Sequence, residues 1–333
     1  MVGERLNYID QAKGIAIILV VVGHLVQWNF TGESCKVIFD YIYSFNMPLF
    51  FFISGFLAYK SRFKIESVTL IPLFKKRFIG LALPFFSWGL FVFPIVVSGN
   101  SNFKELLSEW GRNLMFPEYG YWFLIVLFCM HVYYVVACLL SNFIKHGGVI
   151  KYRFFVKYSD ELFFAIILIC IWLLSHFLCP SRYLSSRYLI MFFMGCLFYK
   201  YNMVQRIPKY VVGIMVIIFV LLVPLWHFNG TESNIALSTI ISLLVSPALL
   251  CILSYSKPKM NRISYCGTNS LEIYIIHMLF IRILSVAVHI NINSLFLMIL
   301  LFIVGYILSY ISIVIANIFK SIPYCSILLF GKK

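Results

Sequence analysis

Charge is scarce in this sequence, and acid is scarcer than base. Asp, Glu, Lys and Arg make up 12% of the 333 residues, with 12 acids against 27 bases. A soluble domain carries about 25% charged and about 45–50% apolar residues, whereas this chain is 62% hydrophobic. So much apolar surface has no use in a soluble fold of this size and must face lipid. Polar stretches long enough to build a soluble domain are missing. Internal repeats are missing too, which removes support for the inverted-repeat design of many transporters. The nine cysteines lack CxxC spacing, and Cys129, Cys138, Cys170, Cys196 and Cys251 fall inside apolar runs. They read as small packing residues rather than as a disulfide framework or a metal site. No small-residue cleavage site follows the first apolar run, so a removable signal peptide is not expected.

What is present is a series of apolar runs. Crossing about 30 Å of hydrocarbon takes roughly 20 residues, and candidate runs fall at 12–29, 38–59, 78–98, 121–141, 162–179, 188–200, 210–228, 235–255, 268–289 and 295–319. The expected fold is an all-α integral membrane protein, a bundle of about ten transmembrane helices forming a single domain over residues 1–333. Alternating the loops across these runs puts nearly all Lys and Arg on one side. The other side holds Lys36, Lys104, Arg112, Arg182 and Arg187, and Arg282 lies inside the ninth run. The positive-inside rule then places both termini in the cytoplasm. The net charge of +15 is topogenic on this reading and no sign of a nucleic-acid partner. The longest outer segment, Gly99–Gly120, can form an amphipathic surface helix, a lid or an ordinary loop.

Five patterns could carry chemistry. In the first run, Lys13 and His24 are 11 residues apart, three helical turns plus about 20°, so they share a face roughly 16 Å apart along the axis. Asp10 is three residues before Lys13 and can pair with it. Ionisable groups at membrane depth are costly and usually face a bundle interior. A histidine with a reference pKa near 6.5 suits proton transfer; the plain alternative is a neutral ring hydrogen-bonded to a neighbouring helix. Gly23 beside it allows close approach of another group. In the second run, Ser54-Gly55 is a small pair in an aromatic helix, for which tight helix packing is the better reading. Lys75, Lys76 and Arg77 open the third run. They suit either topogenesis or a phosphate-bearing ligand from the cytoplasm. Trp122 lies in Gly120-Tyr-Trp-Phe-Leu124, an aromatic belt by default, although aromatic faces also line sugar sites. In the ninth run Ser270, Tyr274 and His277 share a face, while Glu272 and Arg282 point elsewhere. A second membrane histidine argues for a polar interior cavity.

Taken in order, these patterns resemble the bacterial membrane acyltransferase-3 family, which includes sugar and O-antigen O-acetyltransferases. The matching residues are Ile9-Asp-Gln-Ala-Lys-Gly14 with Gly23-His24, Phe51-Phe-Ile-Ser-Gly-Phe56, Lys75-Lys-Arg77 with Pro84, Trp122-Phe-Leu124, Phe192-Phe-Met-Gly195, and Ser270 to His277. The resemblance implies a multi-pass protein of the bacterial inner membrane with acetyl-CoA as donor and no metal. It implies a sugar hydroxyl on a lipid-linked or envelope glycan as acceptor. His24 matches the family's essential histidine and Lys13 its basic partner, more often arginine; Asp10 would hold Lys13. Lys75, Lys76, Arg77 and Ser54 would bind the donor. Trp122, Ser270, Tyr274 and His277 would bind the acceptor or the oxyanion. The family often has a further arginine a turn after Arg77, where this chain has Gly80. Surrounding lipid and a homo-oligomer are compatible with this reading, and oligomeric state is left open. The rival is a transporter or flippase for a lipid-linked glycan, which the composition fits equally well and the ordered motifs do not.

Overall fold

Inside a bilayer a backbone amide has no water to bond, so an apolar run must satisfy its polar groups within itself, as a helix does. A computed structural model of the chain describes residues 6–61, 70–89, 102–115, 121–146, 153–177, 181–227, 234–287, 290–291 and 295–332. In chain order these form α1 (Asn7–Asn29), β1 (Phe30–Thr31), α2 (Glu33–Lys60), α3 (Leu70–Arg77), a π-helical segment (Phe78–Ala82), α4 (Leu83–Ser87), α5 (Phe103–Met115), α6 (Trp122–His146), α7 (Arg153–Lys157) and α8 (Ser159–Phe177). A 3₁₀ turn (Arg182–Leu184) leads to α9 (Ser186–Lys200), α10 (Met203–Arg206), α11 (Lys209–Leu222) and a second 3₁₀ turn (Val223–Leu225). The chain continues through α12 (Ile235–Ser256), α13 (Asn261–Thr268), α14 (Ser270–Ala287), β2 (Ile290–Asn291), α15 (Leu295–Ser321) and α16 (Cys325–Phe330).

Among the described residues six helices are long and apolar enough to cross a membrane: α1, α2, α6, α8, α12 and most of α15. The other expected spans are shorter or interrupted. The run at 78–98 opens as a π turn, with Pro84 at the start of α4, a common way for a helix to absorb an irregularity. Its residues 90–98 lie outside the described residues. The run at 188–200 becomes the 15-residue α9. In the run at 268–289, α14 begins at Ser270, just after Asn269, whose side-chain amide donates to the Tyr265 carbonyl at 2.9 Å and so caps the end of α13; residues 288–289 lie outside the described residues. Of the Gly99–Gly120 segment, the described part is the helix α5. Its residues 99–101 and 116–120 lie outside the described residues.

The chain divides into two compact units. One comprises residues 1–53 with 201–323, the other residues 54–200 with 324–333. In the first unit α1 packs against α12, α13, α14 and α15. Two glycines allow the closest approach: a methyl group added at Gly14 would overlap the Ile263 carbonyl, and one at Gly267 would overlap the Asp10 carbonyl. The apolar stretch of α1 is 72% buried, against 17% for that of α8; α1 is an interior helix, and α8 turns Ile169, Trp172 and Phe177 outward. β1 and β2 pair in parallel, Phe30 with Ile290 and Thr31 with Asn291, which ties the C-terminal end of α1 to the chain leaving α14. Glu272, fully buried, pairs with Lys320 of α15.

In the second unit Gly55 of α2 sits directly on the backbone of Phe192 in α9, and the Cys196 thiol donates to the Gly55 carbonyl at 3.3 Å. Gly55 of the small pair thus serves helix packing. Asp160, at the start of α8, is buried. It accepts from Ser141 at 2.5 Å, Lys145 at 3.0 Å and Tyr59 at 3.1 Å, and meets Lys200 at 3.3 Å.

Candidate active site

His24 lies five residues before the end of α1 and is half-buried. Gly23 beside it leaves room for the ring of Tyr43, which approaches where a Cβ would be, 2.9 Å from Tyr43 Cε2. Tyr43 comes from α2. It stacks on Phe39 and packs against the buried cluster of Val223, Trp226 and Ile241. Its hydroxyl donates to Gln27 Oε1 at 2.9 Å and lies 3.2 Å from His24 Nδ1. Gln27 Oε1 is itself 3.1 Å from that nitrogen. Gln27 Oε1 has no proton to give, and the Tyr43 proton is committed to it. A proton on His24 Nδ1 suits both oxygens and leaves Nε2 as the basic nitrogen.

The structure brings the second membrane histidine to the first. The rings of His24 and His277 lie 5.4 Å apart, tilted by 33°. His277 is 1% exposed, and its Nδ1 donates to the Ile273 carbonyl at 2.8 Å, one turn back on α14. That bond also leaves its Nε2 as the acceptor, and this atom is buried with no hydrogen-bond partner. A buried polar atom without a partner is costly and calls for an explanation. Here it sits next to a half-buried imidazole that also presents a lone pair. Tyr274 joins the group, its ring 6.0 Å from that of His277.

Not every expected residue gathers here. Lys13 and Asp10 are half-buried near the other end of α1, where the Asp10 carbonyl faces Gly267. Ser270 opens α14, two turns before His277. Sequence reasoning missed Tyr43 and Gln27. Gln27 was readable as the residue three after His24 on the same face. Tyr43 comes from another helix, which no spacing reveals. Arg282, about 140° around α14 from His277, lays its guanidinium over the Trp28 ring of α1, 4.6 Å from the centroid.

The remaining candidates lie in the second unit. Lys75 and Lys76 are exposed at the end of α3. Arg77 lines a cavity of about 350 Å³ together with His131, Tyr134, Phe74 and Phe128. His131 is a buried histidine inside an apolar run, the same signal that singled out His24, and sequence reasoning passed over it. The cavity wall is almost wholly apolar, with Arg77 its one cation; Lys75 and Lys76 immediately precede Arg77 in the chain and are exposed. Trp122, at the start of α6, is stacked on Tyr188 with the Arg182 guanidinium 4.6 Å from its centroid. Its ring is engaged by protein groups rather than standing open.

Comparison with known proteins adds a family. Residues 6–317 match the family model described as an acyltransferase domain. The chain is 29% identical over 142 residues to nodulation protein NolL of Sinorhizobium fredii (strain NBRC 101917 / NGR234), an alignment covering 40% of this chain and 38% of that protein. The matched part thus spans about two fifths of the relative's length. No solved structure matches.

Proposed function

The chain belongs to the acyltransferase family whose domain covers residues 6–317, and from that premise we propose that it is an integral-membrane O-acyltransferase moving an acetyl group from acetyl-CoA to a sugar hydroxyl of a lipid-linked or envelope glycan. The observation that carries this reading is the His24–His277 pair, two buried or half-buried imidazoles 5.4 Å apart whose hydrogen bonds leave both Nε2 atoms basic. His24 Nε2 takes the proton of the acceptor hydroxyl as its oxygen bonds to the acetyl carbonyl carbon. The carbon–sulfur bond breaks and the thiolate leaves, taking the proton back from the imidazolium. Base catalysis of this kind contributes about 10²–10⁴-fold. Tyr43 and Gln27 hold the reactive tautomer, and His277 offers its Nε2 to a second acceptor hydroxyl.

On this reading Lys75, Lys76 and Arg77 hold the donor's phosphates and Ser54 lies on the same helix as the cavity wall at Ala58. Lys13 with Asp10 provides the positive charge at the donor side of α1. Both termini face the cytoplasm of a bacterial inner membrane, and about ten segments cross it. The test uses membranes holding the protein, radiolabelled acetyl-CoA and extracted envelope glycan. Wild type transfers label and His24→Ala does not. A folded His24→Ala protein that transfers label at the wild-type rate overturns the mechanism. Glycan movement without consumption of acetyl-CoA would instead establish the flippase reading.

A further inference from the structure

His131 is a histidine inside α6, a helix long and apolar enough to cross the membrane, and the reaction proposed above does not use it. It is 6% exposed, and its ring stands edge-on to Phe192 at 5.0 Å. Among the described residues its ring nitrogens have no hydrogen-bond partner. It lines the cavity of about 350 Å³. Arg77 lines the same cavity and is close enough to His131 to act on it electrostatically. Arg77 too has no hydrogen-bond or ion-pair partner among the described residues. A cation and a polar ring left without partners in an apolar wall are costly. A few converging polar groups in an otherwise apolar pocket are the usual form of a small-molecule site.

The other polar side chains of the wall are already engaged. The Ser61 hydroxyl donates to the Ala58 carbonyl at 3.0 Å, and that of Tyr134 reaches the same carbonyl at 3.5 Å. The remaining wall is hydrocarbon and aromatic. Phe128, His131, Val132, Val135 and Val136 line it from one face of α6, a strip about 12 Å long at helical spacing. Phe74 of α3 is 55% exposed and Val136 is 42% exposed, so the cavity reaches the surface beside α6. On a membrane-spanning helix that surface faces lipid. An occupant therefore enters from the bilayer and must itself dissolve there.

Charge selects the headgroup. Arg77 is the one cation of the wall, and its fork takes a carboxylate in two parallel bonds. A neutral His131 adds one N–H donor. A carboxylate brings one negative charge, which Arg77 balances. A phosphate monoester brings about 1.5 to 2, and the excess would be buried without a partner.

We infer that the cavity between α3 and α6 binds a fatty acid from the surrounding membrane, its carboxylate on Arg77 and His131 and its single alkyl chain along Phe128 and the valines of α6. Binding does not depend on the acyl-transfer reading. Where Arg77 also holds the donor's phosphates, fatty acid and acetyl-CoA exclude one another, and that consequence rests on the reading given above.

Saturable binding is measured on the purified full-length protein in phosphatidylcholine nanodiscs, at mildly alkaline pH and without acetyl-CoA. The probes are radiolabelled decanoate, decanol and decyl phosphate, with protein-free nanodiscs as the blank. Decanoate is expected to bind about tenfold or more tightly than decanol, the step set by one charge-assisted pair, and more tightly than decyl phosphate. Arg77→Gln removes the preference over decanol. His131→Phe keeps a ring against Phe192 and weakens decanoate binding. Val132→Phe fills the chain face and weakens decanoate and decanol together; it stands in if the Arg77 variant does not fold. Equal binding of decanoate and decanol, tighter binding of decyl phosphate, an unchanged preference in folded Arg77→Gln, or unchanged binding in folded Val132→Phe overturns the inference. His24→Ala keeps decanoate binding. Loss of acyl transfer in the preceding test and loss of fatty-acid binding in this one are therefore separate results.

Discussion

At the residue scale the site is a matter of which nitrogen carries the proton. His24 and His277 were legible in the sequence because an imidazole in an apolar run stands out against the cost of placing it there. Their meeting was not, since helical spacing gives rotation about one axis and says nothing of which helix comes next. Tyr43 was invisible for the same reason, although Gly23, the gap that admits it, was read as an invitation to close approach. The hydroxyl of Tyr43 acts on His24 Nδ1 while its ring fills the space beside Gly23, so the two functions can be separated. Tyr43→Phe keeps the ring and removes the hydroxyl. A hydrogen bond contributes about 0.5–1.5 kcal/mol net, which converts to roughly 2- to 12-fold in rate. We predict that drop in kcat for Tyr43→Phe with donor KM unchanged, read in the labelled-acetate assay. His24→Ala falls by the full 10²–10⁴-fold of base catalysis. A Tyr43→Phe enzyme as slow as His24→Ala would mean that the hydroxyl itself touches the reacting atoms.

At the element scale the glycines decide how closely helices approach. The Ser54-Gly55 pair was read as packing, and its contact with the Phe192 backbone agrees. The contacts of Gly14 and Gly267 across α1 and α13 could not be foreseen, because α13 precedes the apolar run at 268–289 and spacing along one helix does not say which other helix meets it. Position matters more than residue type here. A methyl group at Gly55 meets a backbone carbonyl that cannot rotate away, whereas one at Gly213 of α11 has nothing within 4 Å. Overpacking of this kind costs about 1–3 kcal/mol, while Gly to Ala in an open helix gains up to about 1 kcal/mol. Gly55→Ala is therefore expected to lower the thermal midpoint in detergent and Gly213→Ala to leave it level or raise it. The comparison is made by size-exclusion survival after heating. Equal midpoints would show that α2 and α9 are not held at backbone contact.

At the scale of the whole molecule, charge serves both topology and structure. The one-sided distribution of Lys and Arg is legible in the sequence alone. It was read as topogenic, yet Lys320 and Lys200 are pinned against buried carboxylates, Glu272 in the first unit and Asp160 in the second. Sequence showed where these lysines fall along the chain but not that they turn inward, because the acids that hold them are 48 and 40 residues away. The distinction is measurable. Breaking a buried pair by removing one partner costs about 3–5 kcal/mol, while replacing both partners with apolar or neutral groups of similar size is often close to neutral. Lys320→Met is expected to destabilise by that amount because it removes the cation paired with Glu272, which is fully buried. Glu272→Gln added to it should recover most of the loss. Lys75→Met, at an exposed position, should stay within about 0.5 kcal/mol of wild type, as surface changes usually do. The double-mutant cycle, followed by denaturant unfolding in mixed micelles, isolates the pair. A coupling near zero would return Lys320 to the topogenic set, and one of several kcal/mol makes the Glu272–Lys320 pair the clamp between α14, which carries His277, and α15.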